Sequence, residues 1–239
     1  MLFRTPSITE EENKQFYQNT YSSNYVTNLP AIETLSTLKT ESFKNIKDYS
    51  GYIKVLEALG CQKGEKLLDF GCSWGYGSWQ LNQAGYAVKG YEISVPRCNY
   101  AKQHLSIDAH SSLDDFDSAI DIFFSAHVLE HVPNLKKVID YGWQLLRPGG
   151  LFIAFTPNGS FTLRTHKPQI WHEYWGFVHP NLPDEVYYNH FFDKFSRIIA
   201  SVPYPLDEFK TWDIIDKKGK VTDLSGLELV VAVRKPPLV

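Results

Sequence analysis

Three glycines, Gly71, Gly75 and Gly77, lie close together in the segment LLDFGCSWGYG, directly after a short apolar run. Glycine has no Cβ, so such a segment lets the backbone approach a ligand closely. The segment begins with an acid, Asp69, and a second acid, Glu92, ends the next predicted strand. The spacing between them is close to the roughly 20 residues that separate a glycine-rich loop from an acid that binds ribose hydroxyls.

The dinucleotide-binding pattern G-x-G-x-x-G is absent from this loop. Counted from Gly71, the other two glycine positions hold Ser73 and Tyr76. An acid at the start of the loop would repel a dinucleotide phosphate but suits a ligand amino group. We expect the loop N–H groups to be free to donate to a ligand. The pattern favours a nucleoside joined to an amino acid, and an NAD-linked oxidoreductase is the weaker alternative.

Composition bounds the class of protein. The chain has 239 residues, 43% of them hydrophobic, and a formal net charge of −3, which is ordinary for a globular protein and gives no basic field for nucleic acid. Its three cysteines form no CxxC pair, so a reducing environment is expected. No run reaches the roughly 18 apolar residues of a membrane span, and the N-terminus lacks the apolar core of a signal peptide. We expect a cytoplasmic protein with neither a nucleic-acid nor a membrane partner.

Strand and helix patterns alternate from Lys66 onwards. Apolar runs predict strands at 66–71, 86–93, 118–125 and 151–159, and helical patterns separate them. Strands separated by helices at this spacing are typical of a parallel sheet, whose ligands bind beyond the carboxyl ends of the strands.

The remaining segments fit less regular patterns. Residues 1–60 predict a helical extension or cap, including a helix over 39–59, and residues 61–239 predict the main domain. The stretch 160–185 is interpreted as a long ordered loop and the overlapping stretch 184–202 as a helix. The tail is predicted to form two strands around the sequence DKKGK.

Four segments in order resemble the class I S-adenosylmethionine-dependent methyltransferase family. LLDFGCSWGYG resembles its first motif, an acid followed by G-x-G-x-G, with Ser73 in place of the middle glycine. YEIS resembles the second motif, and DIFFSAHVLEHVPN and LLRPGGLFIAFTPNG resemble two later ones. The resemblance covers residues 66–159. It implies a Rossmann-like, doubly wound α/β fold with a mostly parallel seven-stranded sheet and an antiparallel C-terminal strand.

The resemblance also implies the activity and the cofactor site. The expected enzyme moves a methyl group from S-adenosylmethionine and releases S-adenosylhomocysteine. Cys72 is expected to act through its backbone and not through its thiol. The implied cofactor-binding residues are Asp69, Gly71, Cys72, Ser73, Gly75, Glu92, Ile93, Ser112, Leu113, Ser125 and His127.

Histidines are the candidate bases. His127, Glu130 and His131 have the i, i+3, i+4 spacing of metal ligands on a helix face. The family usually carries this segment without a metal, so no metal is expected. The candidate catalytic residues are His127, His131 and His179, and an acceptor hydroxyl or amine is the expected source of the proton.

The segment IWHEYWGFVHP is rich in aromatic side chains. Ring faces stabilise a cationic sulfonium and pack flat against sugars or aromatic acceptors, but a hydrophobic lid or plain packing explains the composition equally well. The candidate substrate-binding residues are Trp171, His172, Tyr174, Trp175 and His179. We expect a small-molecule acceptor, for instance a sugar. The alternative is a module that binds S-adenosylmethionine without turnover, and the oligomeric state is left open.

Overall fold

The structure is a computed structural model that describes residues 1–5, 8–20, 29–41, 47–116, 119–174, 179–212 and 219–237. The chain forms two compact units. One comprises Glu11–Asp117, and the other comprises Met1–Glu10 together with Ser118–Val239. The predicted division at residue 60 stays a prediction.

The strands of the described residues are, in chain order, β1 (Leu2–Phe3), β2 (Lys66–Phe70), β3 (Ala87–Tyr91), β4 (Asp108–His110), β5 (Ile120–Ala126), β6 (Leu146–Pro157), β7 (Asn181–Leu182), β8 (Arg197–Ser201), β9 (Gly219–Val221) and β10 (Glu228–Arg234).

The α-helices are α1 (Glu10–Gln15), α2 (Ile32–Thr40), α3 (Ser50–Ala58), α4 (Tyr76–Gln83), α5 (Val95–Leu105), α6 (Leu135–Leu145), α7 (Phe161–His166), α8 (Pro168–Tyr174), α9 (Glu185–Phe191) and α10 (Leu206–Lys210). A π-helical turn follows α1 at Phe16–Thr20, and single 3₁₀ turns lie at Leu113–Asp115 and Leu129–His131. None of the helices in the described part of the chain has the length and apolar character needed to cross a bilayer.

In the unit Glu11–Asp117, β2, β3 and β4 pair in parallel, with β3 in the middle. The apolar run of β2 is buried from Leu67 onwards, because the strand packs on both faces, as expected for a parallel sheet. Helices α4 and α5 connect these strands in the predicted βαβ order. The parallel direction brings the residues that follow the three strands to one edge.

In the other unit, β5 pairs in parallel with β6, and β8 pairs in parallel with β9. The C-terminal strand β10 is antiparallel, as predicted, and lies between β6 and β8. The described residues of the two units thus contain three and five sheet strands, eight in all, where seven were predicted. A separate two-stranded ladder joins β1 to β7.

Three predicted elements differ from the structure. The helix predicted over 184–202 ends at Phe191, and Arg197–Ser201 is strand β8, because its buried Ile198 and Ile199 pair with the apolar strand β10. The loop predicted over 160–185 contains α7 and α8, and the Ser160 hydroxyl caps α7 by accepting from the Leu163 N–H at 3.1 Å.

The helix predicted over 39–59 is not continuous in the described residues, since α2 stops at Thr40 and α3 starts at Ser50. Residues 42–46 of this prediction lie outside the described part of the chain. Of the two tail strands predicted around DKKGK, the strand after this sequence is present as β10, and the short strand β9 begins at Gly219, within the sequence. The strand predicted before DKKGK falls largely on residues 213–218, which lie outside the described residues.

Candidate functional site

The candidate site residues fall into two groups, one in each unit. The first group follows the carboxyl ends of β2, β3 and β4. The second group follows β5 and continues into the segment around α8.

The loop after β2 alternates between ordinary and left-handed backbone. Gly71, Ser73 and Gly75 have φ angles of 89°, 52° and 92°, so two of the three left-handed positions use the residue that adopts them without strain. At Gly75 a Cβ would lie 2.6 Å from the Cβ of Ala101 on α5. Glycine there allows the loop and α5 to pack closely.

Four N–H groups of this loop bond within the protein, so the prediction that the loop N–H groups are free is wrong for these four. Gly71 and Cys72 both donate to the Tyr91 carbonyl, at 2.7 and 2.9 Å, and Gly75 donates to the Cys72 carbonyl at 2.9 Å. The Ser73 N–H donates to Glu92. The loop therefore offers a ligand a rigid and closely approachable backbone rather than a cradle of these four donors.

Glu92 is buried at the end of β3, with 7% of its surface exposed. Its Oε2 accepts from the Ser73 N–H at 3.0 Å and its Oε1 accepts from the Ser94 N–H at 2.9 Å. Burial raises the pKa of Glu92, against these hydrogen bonds and the nearby charge of Arg97. Each carboxylate oxygen keeps a second lone pair, so the orientation of the group is fixed while its capacity to accept from ribose hydroxyls remains.

Asp69 and Cys72 point into the protein. The Asp69 carboxylate is 1% exposed and accepts from the Ser78 hydroxyl of α4 at 2.6 Å, and burial raises its pKa to about 7. The Cys72 thiol is also buried, which raises its pKa, and a Cβ at Gly90 would lie 2.6 Å from its sulfur. These contacts agree with a structural role for the Cys72 side chain. Asp69 also links the end of β2 to α4 through its bond with Ser78 and thereby supports the loop between them.

The remaining predicted cofactor residues of this unit lie at the same edge. The Ile93 carbonyl, directly after Glu92, accepts from the Gln18 side chain at 2.5 Å. Ser112 and Leu113 follow β4, and the exposed Ser112 hydroxyl accepts from the Asp114 N–H at 3.3 Å. The structure therefore brings the predicted residues after β2, β3 and β4 together at one edge.

In the second group, His127 follows β5 with a left-handed φ of 55°. Its Nε2 bonds the Glu228 carboxylate of β10, and its Nδ1 lies 3.5 Å from Glu130 Oε1. The Tyr204 hydroxyl donates to the other oxygen of Glu228. Burial alone would lower the pKa of His127, but the bonds to Glu130 and Glu228 outweigh it and raise the pKa to about 10.

This pairing bears on the predicted role of His127 as a base. An imidazolium has no free lone pair with which to take a proton. The side chain keeps 47% of its surface exposed, so solvent weakens the pairing without removing it. The geometry supports a fixed positive charge at His127 and favours the other candidate histidines as bases. Ser125, on β5, is buried, and its hydroxyl has no hydrogen-bond partner among the described residues.

His131 and His179 lie side by side. Their ring centroids are 4.6 Å apart, and His179 Nδ1 is 2.5 Å from the Tyr174 carbonyl oxygen. Ligand atoms of Glu130, His131 and His179 all lie within 4.8 Å of one another, a grouping that could hold a metal ion. This grouping differs from the set suggested by the sequence spacing, because His179 from a distant segment takes the place of His127.

The aromatic segment divides. Trp171 is 5% exposed and packs with Leu163 and Leu182, and the Arg164 guanidinium lies 5.0 Å from the centre of its ring. His172 is exposed on α8, and Tyr174 is half-buried. Trp175 lies outside the described residues. Trp171 therefore has the contacts of a packed side chain. Tyr174 and His179 are half-buried, and His179 contacts His131, so an acceptor pocket at these two residues stays a prediction.

Sequence reasoning missed three residues of these groups. Arg97 of α5 donates to Ser73 in the loop, and Glu228 bonds His127 through one carboxylate oxygen and Tyr204 through the other. Glu228 is 101 positions from His127, so no local spacing could connect them. The sequence carried one indirect signal for Arg97, namely Ser73 at the middle glycine position of the G-x-G-x-G pattern. A serine in left-handed backbone needs a stabilising contact, and Arg97 provides it.

Comparison with known proteins gives a family and a fold. The profile of the family described as "Methyltransferase domain" matches residues 44–196. A ubiquinone biosynthesis O-methyltransferase of Nitrobacter winogradskyi is 32% identical over 112 residues, which are 44% of this chain and 43% of that protein. One from Coxiella burnetii is 27% identical over 149 residues, 54% of this chain and 64% of that protein. The chain thus spans about half the length of the curated relatives it matches.

A solved structure covers nearly the whole chain. Magnesium protoporphyrin IX methyltransferase from Synechocystis PCC 6803, with bound SAH, has a TM-score of 0.58 and 16% identity, and the match covers 95% of this chain and 100% of the other. At this identity the similarity shows a shared Rossmann-like fold, which by itself does not fix the reaction.

Proposed function

This chain belongs to the methyltransferase-domain family, and we propose that it transfers a methyl group from S-adenosylmethionine to a hydroxyl group of a small molecule. Dependence on S-adenosylmethionine follows from the family, and the acceptor is the proposed part. The observation that carries the cofactor site is the carboxylate of Glu92, fixed by two backbone donors at the edge where the glycine loop turns.

The residues of the unit Glu11–Asp117 fit the cofactor. Glu92 would accept from the ribose hydroxyls through the lone pairs that Ser73 and Ser94 leave unused. Gly71 lets the backbone approach the ligand, and Ser112 and Leu113 would border the adenine ring at the same edge. When bound, S-adenosylmethionine supplies an activated methyl group. The loop then contributes mainly by holding the donor in one orientation, which lowers the entropic part of the barrier.

The acceptor type is supported by the relatives. The two curated relatives are named O-methyltransferases, so a hydroxyl is favoured over the amine that the sequence alone leaves open. A hydroxyl loses its proton as its oxygen bonds the methyl carbon, and a nearby base assists that loss. His131 or His179 would serve, because His127 is held as an imidazolium by Glu130 and Glu228.

The test combines binding with turnover. Calorimetric titration measures S-adenosylhomocysteine affinity, and a coupled assay detects its formation from S-adenosylmethionine with panels of phenolic, catecholic and sugar hydroxyl acceptors. Matched amine analogues form the control panel. We expect turnover with hydroxyl acceptors only. Binding without turnover on either panel would instead support the alternative of a non-catalytic module, and amine turnover would refute the O-methyl assignment.

A further inference from the structure

The serine at the middle glycine position of the cofactor loop has a specific partner. Ser73 has a φ of 52°, a left-handed conformation that is strained for a residue with a side chain. Arg97, in the first turn of α5, donates from Nη1 to the Ser73 hydroxyl at 2.6 Å. A glycine at position 73 would have no hydroxyl to accept this bond.

Arg97 is built into the protein rather than projecting into solvent. Only 5% of its surface is exposed. Its backbone N–H donates to the Ser94 carbonyl at 3.1 Å, and Ser94 and Ser73 both donate to Glu92. The four residues therefore close one ring of hydrogen bonds, from Arg97 to Ser73, to Glu92, to Ser94 and back to Arg97. A hydrogen bond from a buried cation is among the stronger ones in a protein.

We propose that Arg97 is a positioning residue for the cofactor, holding Ser73 in left-handed backbone and thereby fixing the Ser73 N–H against Glu92. It replaces the conformational freedom that a glycine would supply at this point of the loop. Without Arg97, Ser73 relaxes to an ordinary φ, its N–H leaves Glu92, and the carboxylate loses the orientation in which it binds the ribose. The inference rests on the proposed cofactor role of this loop.

A double-mutant cycle with Ser73→Gly separates this role from others. Arg97→Ala in the natural loop should weaken S-adenosylhomocysteine binding about tenfold, equal to about 1.4 kcal/mol, which lies within the range for residues in one hydrogen-bond network. In the Ser73→Gly background, Arg97→Ala should cost less than about threefold, because glycine adopts the left-handed conformation unaided. Titration calorimetry gives the affinities, and thermal unfolding verifies that each variant is folded.

Two further variants keep the test decisive if Arg97→Ala does not fold. Arg97→Gln retains a donor but no charge, and it should lose less affinity than Arg97→Ala. Ser73→Ala removes the acceptor, and adding Arg97→Ala to it should cost little more. Equal losses from Arg97→Ala in the natural loop and in the Ser73→Gly loop, or an Arg97→Gln variant as weak as Arg97→Ala, would overturn the proposal in favour of a purely electrostatic role. A wild-type protein that binds no S-adenosylhomocysteine would instead refute the cofactor assignment itself.

Discussion

The loop after β2 and the histidine group after β5 both follow a parallel strand, but they are held by different kinds of contact. The loop is held mainly through its own backbone N–H groups, which donate to the Tyr91 carbonyl and to the Glu92 carboxylate, about twenty residues away in sequence. The histidine group is held by side-chain charges, with His127 bonded to Glu228 on a distant strand. Backbone geometry fixes where a ligand lies, whereas paired charges fix protonation states. The two regions should therefore respond differently to substitution.

The largest effect is expected from Gly71→Val, which should abolish detectable S-adenosylhomocysteine binding. A branched side chain at a φ of 89° would occupy the space where backbone meets ligand. The control is Gly64→Val, which has nearly the same φ of 86° and open space around an added Cβ. It carries the same backbone strain at a distance from the site. Titration calorimetry should show binding lost only at position 71, and retained binding in a folded Gly71→Val protein would exclude the loop assignment.

The same contrast explains what the sequence predicts well. Asp69, Gly71, Glu92 and Ser112 were placed at one sheet edge because βαβ order and the glycine pattern are local signals. Their contacts inside the protein were not predicted, since the sequence does not show that Asp69 accepts from Ser78 or that four loop N–H groups are already bonded.

Side-chain pairs between distant strands leave no such signal. The bond between His127 and Glu228 depends on β10 running antiparallel beside β6. The helix predicted over 184–202 was wrong in its second half for the same reason: buried pairing with β10 outweighs the local preference of Arg197–Ser201.

The second-largest effect is expected in catalysis at the histidine group. If His131 or His179 takes the acceptor proton, replacing that histidine with alanine should lower kcat roughly 10²–10⁴-fold and leave S-adenosylhomocysteine affinity unchanged. Steady-state kinetics and calorimetry measure the two quantities. His190→Ala, which removes an exposed helix histidine of the same unit, is the matched control. A loss of cofactor affinity equal to the loss of kcat would contradict the separation of roles.

An intermediate effect is expected at Glu92. Glu92→Ala should weaken S-adenosylhomocysteine binding by about 1.5–3 kcal/mol, because charge-assisted hydrogen bonds to the ribose are lost. Since Glu92 also accepts from Ser73 and Ser94, the loss combines ribose contact with loop support. A 2′,3′-dideoxy analogue distinguishes the two contributions, because Glu92→Ala should weaken its binding only through the lost support of the loop. Equal losses for both ligands would show that Glu92 does not bind the diol.

A smaller effect is expected in the pH dependence of stability. The folded pKa of His127 is about 10, above the unfolded value of about 6.5. The stabilisation by Glu130 and Glu228 is therefore complete below about pH 6.5 and is lost as the pH rises toward 10. At about pH 6 the free energy of unfolding of the wild type should exceed that of His127→Gln by no more than about 1 kcal/mol, since the His127 side chain is partly exposed. Urea unfolding of both proteins, with His190→Gln as control, measures the difference, and a wild-type advantage that grows with pH contradicts it.

Metal removal is expected to have no effect on turnover or on cofactor binding. Glu130, His131 and His179 are near enough to one another to ligate an ion, but Glu130 Oε1 also lies 3.5 Å from His127 Nδ1. An imidazolium there neutralises the carboxylate and repels a second cation, so a metal would have to displace the proton or the ring of His127. Dialysis against a chelator should thus leave turnover and S-adenosylhomocysteine affinity unchanged, and elemental analysis should find no stoichiometric metal. The opposite result would be activity that falls on chelation and returns with one divalent ion in the wild type but not in His179→Ala. It would show that a metal binds Glu130, His131 and His179 and that His127 is neutral in the working enzyme.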